Sequence, residues 1–246
     1  MKLLLMCDGM VGDAIAELLL EKYPDDLGAV VVTQKNETYF SAYKNNVPSF
    51  VFESESQLLR DLAKYEPFDL GILAWWPKLI SPSIIAMASN GFINTHPSLL
   101  PFNRGKHYNF WALVEEAPFG VTLHFVDHGI DSGDIVAQLP IPCDWEDTGE
   151  TLYLKAGKAM VDLFKSAYPE IRNGSYKRIP QDQSSGSLHY SKEIDVASFI
   201  ELDKTYTARE LLNLLRARTF PSYPACRFED DGRIYEIRVD IKRKPE

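Results

Sequence analysis

Over the first hundred residues, short apolar runs alternate with stretches of helical spacing, and this alternation limits the fold more than any other feature of the chain. Leu3-Leu4-Leu5-Met6-Cys7, Ala29-Val30-Val31-Val32, residues 68–74 and Phe92-Ile93-Asn94-Thr95-His96 read as buried strands. Between them, residues 13–22 place Ile15, Leu18 and Leu19 on one helical face, and residues 55–65 are helical. Residues 82–88 form a short helix that starts on a proline. Strands separated by helices predict βαβ units. The expected fold is therefore α/β, a doubly wound, mostly parallel sheet.

Later the pattern shifts. Residues 107–116 read as a helix, and 119–126 and 134–141 as two more strands. A long helix follows with Leu152, Ala156, Ala159, Leu163 and Ala167 on its apolar face, and Asp147 with Glu150 as its expected capping box. The polar Gly/Ser-rich stretch 181–187 is the best linker candidate. It divides the chain into a main domain, 1–180, and a small C-terminal α+β appendage, 181–246. In the appendage Thr207 and Glu210 cap a helix, and residues 225–228 and 234–239 are strands around Asp230-Asp231-Gly232.

Charge narrows the partners. The net charge is −9, and residues 181–246 hold 11 Lys and Arg against 12 Asp and Glu. Neither part offers the concentrated cationic surface that nucleic acid requires. No apolar run approaches the roughly 20 residues that span a bilayer. The segment 1–7 lacks the longer apolar region of a signal peptide, so no membrane attachment and a cytoplasmic location are expected. The three cysteines, Cys7, Cys143 and Cys226, are far apart and odd in number, which argues against a disulfide framework or a thiolate metal site.

Three stretches carry chemistry. Gly9 and Gly12 sit between a strand and a helix, where backbone N–H groups can hold a phosphate, although Cys7 stands where a dinucleotide fingerprint needs glycine. Asn94 and His96 share one face of a strand at its C-terminal end, the position where open α/β sheets bind ligands. An amide donor beside an imidazole suits an oxyanion and a proton transfer. In Asp127-His128-Gly129-Ile130-Asp131-Ser132-Gly133-Asp134, three carboxylates cluster between two strands. A solvated hairpin, a metal site built from His124, His128 and Asp131, and a carboxylate that orients His96 are the open readings.

Together these residues resemble the folate-dependent formyltransferases. The resemblance is carried by Asn94-Thr95-His96-Pro97-Ser98-Leu99-Leu100-Pro101, Arg104-Gly105, residues 120–126 and Ile130-Asp131-Ser132-Gly133-Asp134-Ile135. It implies Asn94, His96 and Asp131 as a catalytic trio that uses no metal. It also implies 10-formyltetrahydrofolate as formyl donor, held by Trp76, Lys78, Leu79 and Ile80 and by Val126, Asp127, His128 and Ile130. Residues 104–111 are most similar to the short sugar N-formyltransferases. That similarity implies a nucleotide-linked amino-dideoxysugar as acceptor, a dTDP-linked 4-amino or 3-amino sugar used for O-antigen or another surface glycan. A purine-pathway glycinamide ribonucleotide transformylase and a catalytically silent folate- or nucleotide-sugar-binding protein are the alternatives.

On the acceptor side, Gly9 and Met10 lie at the first turn, and Asn103, Arg104, Gly105 and Lys106 follow the histidine. The cations among them suit a diphosphate. Phe220 and Tyr223, stiffened by Pro221 and Pro224, are expected either to stack on a nucleobase or to pack on the main domain. The unpaired edge of the last two strands predicts a homodimer.

Overall fold

The computed structural model describes residues 1–245. In chain order the elements begin with β1 (Leu3–Cys7), α1 (Gly9–Lys22), β2 (Leu27–Val32), α2 (Glu37–Lys44), β3 (Ser49–Val51), α3 (Glu55–Leu62), β4 (Leu70–Ala74), α4 (Pro82–Ile85) and β5 (Phe92–His96). Next come β6 (Arg104–Gly105), α5 (Tyr108–Val114), β7 (Gly120–Phe125), β8 (Ile135–Pro140) and α6 (Gly149–Asn173). The C-terminal part holds β9 (Leu188–His189), α7 (Glu193–Ala197), α8 (Ala208–Ala217), β10 (Cys226–Asp230) and β11 (Arg233–Ile237).

Seven strands form one sheet in the order β3-β2-β1-β4-β5-β7-β8. The pairings through β5 are parallel, and β7 and β8 add antiparallel. β1 and β2 are buried along their whole length, as expected of parallel strands covered on both faces. On one face Leu3, Leu5 and Ile72 pack with Ile15 and Leu19 of α1, Phe110 of α5, and Ala156, Met160 and Phe164 of α6. On the other, Leu4, Met6 and Val31 pack with Leu58 and Leu62 of α3 and Ile84 of α4. These are the helix–sheet–helix layers expected from the βαβ pattern.

Several local expectations change. α1 starts at Gly9, with Asp8 as an extended N-cap, earlier than the apolar spacing predicts. α2 and β3 have no counterpart in the sequence reading, because β3 is three half-buried residues long. The cap of α6 is the reciprocal pair Thr148 and Thr151, not Asp147 and Glu150. Asp147 instead accepts from Thr151 Oγ1, Lys155 Nζ and Asp144 N. The Thr207–Glu210 capping box of α8 forms as expected. The β10–β11 turn has φ +46° at Asp231 and +70° at Gly232, the left-handed pair that a tight hairpin needs.

The appendage shares the main core. Ile194, Leu214, Leu215 and Cys226 join the cluster that contains Phe164 and Leu152. The guanidinium of buried Arg216 donates to the carbonyls of Asp144 and Asp147 and lies over the Trp145 ring. Nor is 181–187 a free tether. Gln183 accepts from Arg104, and Ser187 bonds Asn103 and Glu115. Beyond it β9 pairs with β6. Polarity along this stretch serves docking as well as solvation. Among the described residues, no helix is long and apolar enough to cross a membrane.

Candidate active site

The site forms where β5 meets β7. Asn94 lies opposite His124, and His96 opposite Thr122. Period-two alternation puts all four side chains on one face of the sheet. Thr95 points to the other face and ties down β4, donating to Leu73 O and accepting from Trp75 N. Thr122 organises the turn after His96. Its hydroxyl donates to Ser98 O and accepts from Leu100 N and Gln138 Nε2.

His124 is held neutral. Its Nδ1 lies 2.8 Å from Phe125 O, a distance that needs the proton on that nitrogen. Nε2 therefore keeps a lone pair, which accepts from Asn94 Nδ2 at 3.2 Å. One amide hydrogen of Asn94 is used there, and the second is left for another acceptor. Burial pushes the His124 pKa down to about 4, the His96 charge adding to this and Asp131 opposing it.

Asp131 reaches the pair from the loop after β7. Its Oδ2 is 3.4 Å from His96 Nδ1, and its Oδ1 is 3.6 Å from His124 Nε2. Burial alone raises its carboxyl pKa. His96, His124 and the Gly105 N–H, which donates at 2.9 Å, outweigh that and hold it below the usual carboxylate range. His96 is 5 % exposed, and its Nε2 is buried without a hydrogen-bond partner among the described residues. The arrangement is an imidazole anchored by a carboxylate at one nitrogen, with the other nitrogen available, beside a spare amide N–H.

His96, His124 and Asp131 also lie close enough to be weighed as metal ligands. The ring nitrogens of His124 are already committed to Phe125 O and to the Asn94 amide. The donor set therefore suits hydrogen bonding around His96 better than a cation. His128, a candidate metal ligand by sequence, does not join this group. It is exposed on the loop, and His96 takes that place.

Comparison with known proteins decides the family. A family model described as formyl transferase matches residues 13–167, well over half of the chain. The chain belongs to the formyl transferase family. A second model, the N-formyltransferase dimerization C-terminal domain, matches residues 193–243. Among solved structures, a 4-N formyltransferase from Francisella tularensis superposes with a TM-score of 0.80 at 26% identity, covering 99% of this chain and 98% of that one. A formyltransferase from Anoxybacillus kamchatkensis, in complex with UDP-4,6-dideoxy-4-formamido-L-AltNAc and tetrahydrofolate, is 28% identical over 80% of this chain and 89% of that one, with a TM-score of 0.56. An N-formyltransferase from Helicobacter canadensis, in complex with folinic acid and dTDP-3-aminofucose, shares the fold at 21% identity and a TM-score of 0.74, covering 94% of this chain and 85% of that one.

In this formyltransferase the other predicted residues fall into groups. Lys78 and Leu79 are exposed, the Lys78 ammonium sitting over Phe52. Ile80 and Val126 are half-buried against the core cluster on the second face of the sheet. Asp127, His128 and Ile130 are exposed, and Asp127 closes its loop by accepting from Gly129 N and Ser132 Oγ. Trp76 belongs to the core: it is 8 % exposed and meets Phe52 edge to face. Asn103 is fully buried, and its Nδ2 donates to Glu115 and Ser187, so it braces a loop, while its Oδ1 is buried with no hydrogen-bond partner among the described residues. Arg104 donates to Gln183, Gly105 holds Asp131, and Lys106 is exposed. Gly9 opens α1 at φ +61° beside exposed Met10.

A line of aromatics leads away from His96, and it adds Tyr108 and Tyr153 to the Phe220 and Tyr223 expected from the sequence. Tyr108 lies 6.0 Å from its ring, and burial followed by the proximity of Tyr153 and Tyr223 raises the Tyr108 pKa. Tyr153 contacts Trp75 on one side and Phe220 on the other, and Phe220 meets Tyr223 edge to face. Phe220 is half-buried, while Tyr223 is 56 % exposed. Tyr153 was hidden within the apolar periodicity of a long helix, and Trp75 and Trp76 could not be told apart by composition.

The buried neutral imidazole makes stability depend on pH. In the unfolded chain His124 binds a proton near pH 6.5, whereas in the folded state it does so only near pH 4. The unfolded state holds more protons between these values, so stability falls as pH drops from about 6.5 to 4. That contribution amounts to roughly 3 kcal/mol. The depressed Asp131 pKa acts in the same direction, its contribution being lost as pH falls through the folded value. Urea denaturation across this range should show the slope, and His124→Gln should flatten it. An unchanged slope in that variant would contradict the neutral assignment.

Proposed function

We propose that this formyltransferase moves a formyl group from 10-formyltetrahydrofolate to the amine of a nucleotide-linked amino-dideoxysugar. The observation that carries the reading is the buried, unpartnered Nε2 of His96, backed by Asp131 and flanked by the spare N–H of Asn94. The ring is oriented to take the proton that the attacking amine must lose. Asn94 and the resulting imidazolium stabilise the oxyanion formed on the formyl carbon. Asp131 keeps the ring turned and balances its positive charge. His96 then returns the proton to the departing folate nitrogen, leaving an amide on the acceptor.

Two groups of residues support two substrates. Ile80 and Val126 lie with the core of one sheet face, and Trp75 and Tyr108 with that of the other. Folate binding is assigned to the first side, where Lys78, Leu79 and residues 126–130 are largely free. The acceptor is assigned to the aromatic line, with Tyr223 and Phe220 against the base and Arg104 and Lys106 toward the diphosphate. The acidic chain has no broad cationic field, so the acceptor's phosphates must be held by such local cations. The complexes of the Anoxybacillus and Helicobacter relatives favour a UDP- or dTDP-linked amino sugar. A dTDP-linked 4-amino or 3-amino dideoxyhexose, used for a surface glycan, is our choice. The module matched over residues 193–243 supports a homodimer.

Incubation with 10-formyltetrahydrofolate and a panel of dTDP-, UDP- and GDP-linked amino sugars should give a formyl mass increment on at least one of them. Turnover of glycinamide ribonucleotide with no sugar product would replace this reading by the purine one. Tyr223→Ala should raise KM for the nucleotide sugar about 5- to 100-fold, the range expected for losing one stacked base, with KM for the folate unchanged. Equal effects on both KM values would remove Tyr223 from the acceptor site.

A further inference from the structure

We infer that Gln181 is a positioning residue for catalysis, acting through Asp131 from the segment that joins the two matched family modules. The inference rests on the proposed role of Asp131. Gln181 lies between residues 13–167 and 193–243 and belongs to neither. Its Nε2 donates to Asp131 O at 3.0 Å and to Gly133 O at 2.6 Å. Only the NH₂ end of the amide can satisfy two carbonyls, so its orientation is fixed.

Asp131 needs such support. Its φ is +49°, in the left-handed region that a residue with a Cβ adopts only at an energetic cost. In this conformation the carboxylate reaches His96 while the carbonyl accepts from Gln181. Gly105 N–H grips the carboxylate, and Gln181 grips the carbonyl of the same residue. Each clamp depends on the joining segment. The β6 backbone that carries Gly105 is hydrogen-bonded through Arg104 N to Ser187 O and through Lys106 N to His189 O. Without the Gln181 clamp, the loop can relax out of the left-handed conformation, and Asp131 leaves His96 Nδ1.

The test is a double-mutant cycle in the full-length enzyme, with kcat and both KM values measured alongside thermal denaturation. Gln181→Met keeps length and packing but removes both donors. It should lower kcat about tenfold with KM for donor and acceptor within twofold. In an Asp131→Asn background the same change should cost less than twofold, since the group it positions is already altered. Gln181→Glu, which sets a carboxylate against two carbonyl oxygens, should lose more than Gln181→Met and covers the case in which the Met variant folds poorly. A kcat within twofold of the parent in Gln181→Met, or an equal fold-loss in both backgrounds, would overturn the inference. If Asp131→Asn by itself kept full activity, the role of Asp131 would fall, and this inference with it. Full loss in Asp131→Asn beside a silent Gln181→Met would remove the inference alone.

Discussion

Replacing His96 by Asn is expected to lower kcat by about 10²- to 10⁴-fold, the range typical of a lost general base. Folate affinity should change little. Asn is short and polar, so it fits beside Thr122 and Asp131 without opening a large cavity, but it cannot accept a proton from an amine. Single-turnover assays with saturating donor separate the chemistry from binding, and a direct titration of folate gives its Kd. Near-full activity in His96→Asn would remove His96 as the base. A parent protein that binds folate and nucleotide sugar without turnover would be the silent binder considered from the sequence.

The second large effect is expected at Gly105, where stability and activity should fall together. Its φ is +86°, and an added Cβ would lie 2.2 Å from His189 O, an atom of the β9 backbone. β6 and β9 cannot both stay in place around that atom. The Gly105 N–H that holds Asp131 would move with them. Gly105→Ala should therefore destabilise the fold by at least about 2 kcal/mol, from left-handed strain and the backbone clash together. It should also reduce kcat under conditions where the protein remains folded. Gly232→Ala is the matching control. Its φ is +70°, and none of the described residues lies within 4 Å of the new Cβ, so strain alone is felt. Urea midpoints and kcat for the pair decide the matter: equal midpoints and equal rates would rule out the role of the β6–β9 contact.

Position in the chain does not divide labour here as simply as the two matched modules suggest. The loop after β7 that carries Asp131 is fastened by Gln181 and, through β6, by residues 187–189. The aromatic line from Tyr108 ends at Phe220 and Tyr223, beyond α8. A site whose trio lies wholly within residues 94–131 thus takes part of its shape from the C-terminal quarter of the chain.

Most of the central sheet and its alternation with helices, though not α2 or β3, were legible in the sequence because they rest on local rules, and the candidate trio followed from the family resemblance. Apolar periodicity of two or 3.6 residues marks strands and helices. Strand alternation alone puts Asn94 and His96 on one face. Thr207 and Glu210 form their capping box within one helical turn. Other choices depended on contacts between residues far apart in the chain, which no local pattern encodes. Thr148, not Asp147, caps α6 because Asp147 is drawn to Lys155 and to the Thr151 hydroxyl. His124 is neutral because Phe125 O and the Asn94 amide occupy its two nitrogens. Trp76 is buried while Trp75, one residue away, turns at φ +48° to meet Tyr153. The polar run at 181–187 has the composition of a linker, yet it docks, because its amides and hydroxyls find partners in loops some fifty to eighty residues earlier. The sequence by itself therefore determined which groups stand as candidates for the chemistry and most of the sheet that carries them. The tertiary structure alone decided what holds those groups in place, because each support spans a separation in sequence that only folding closes.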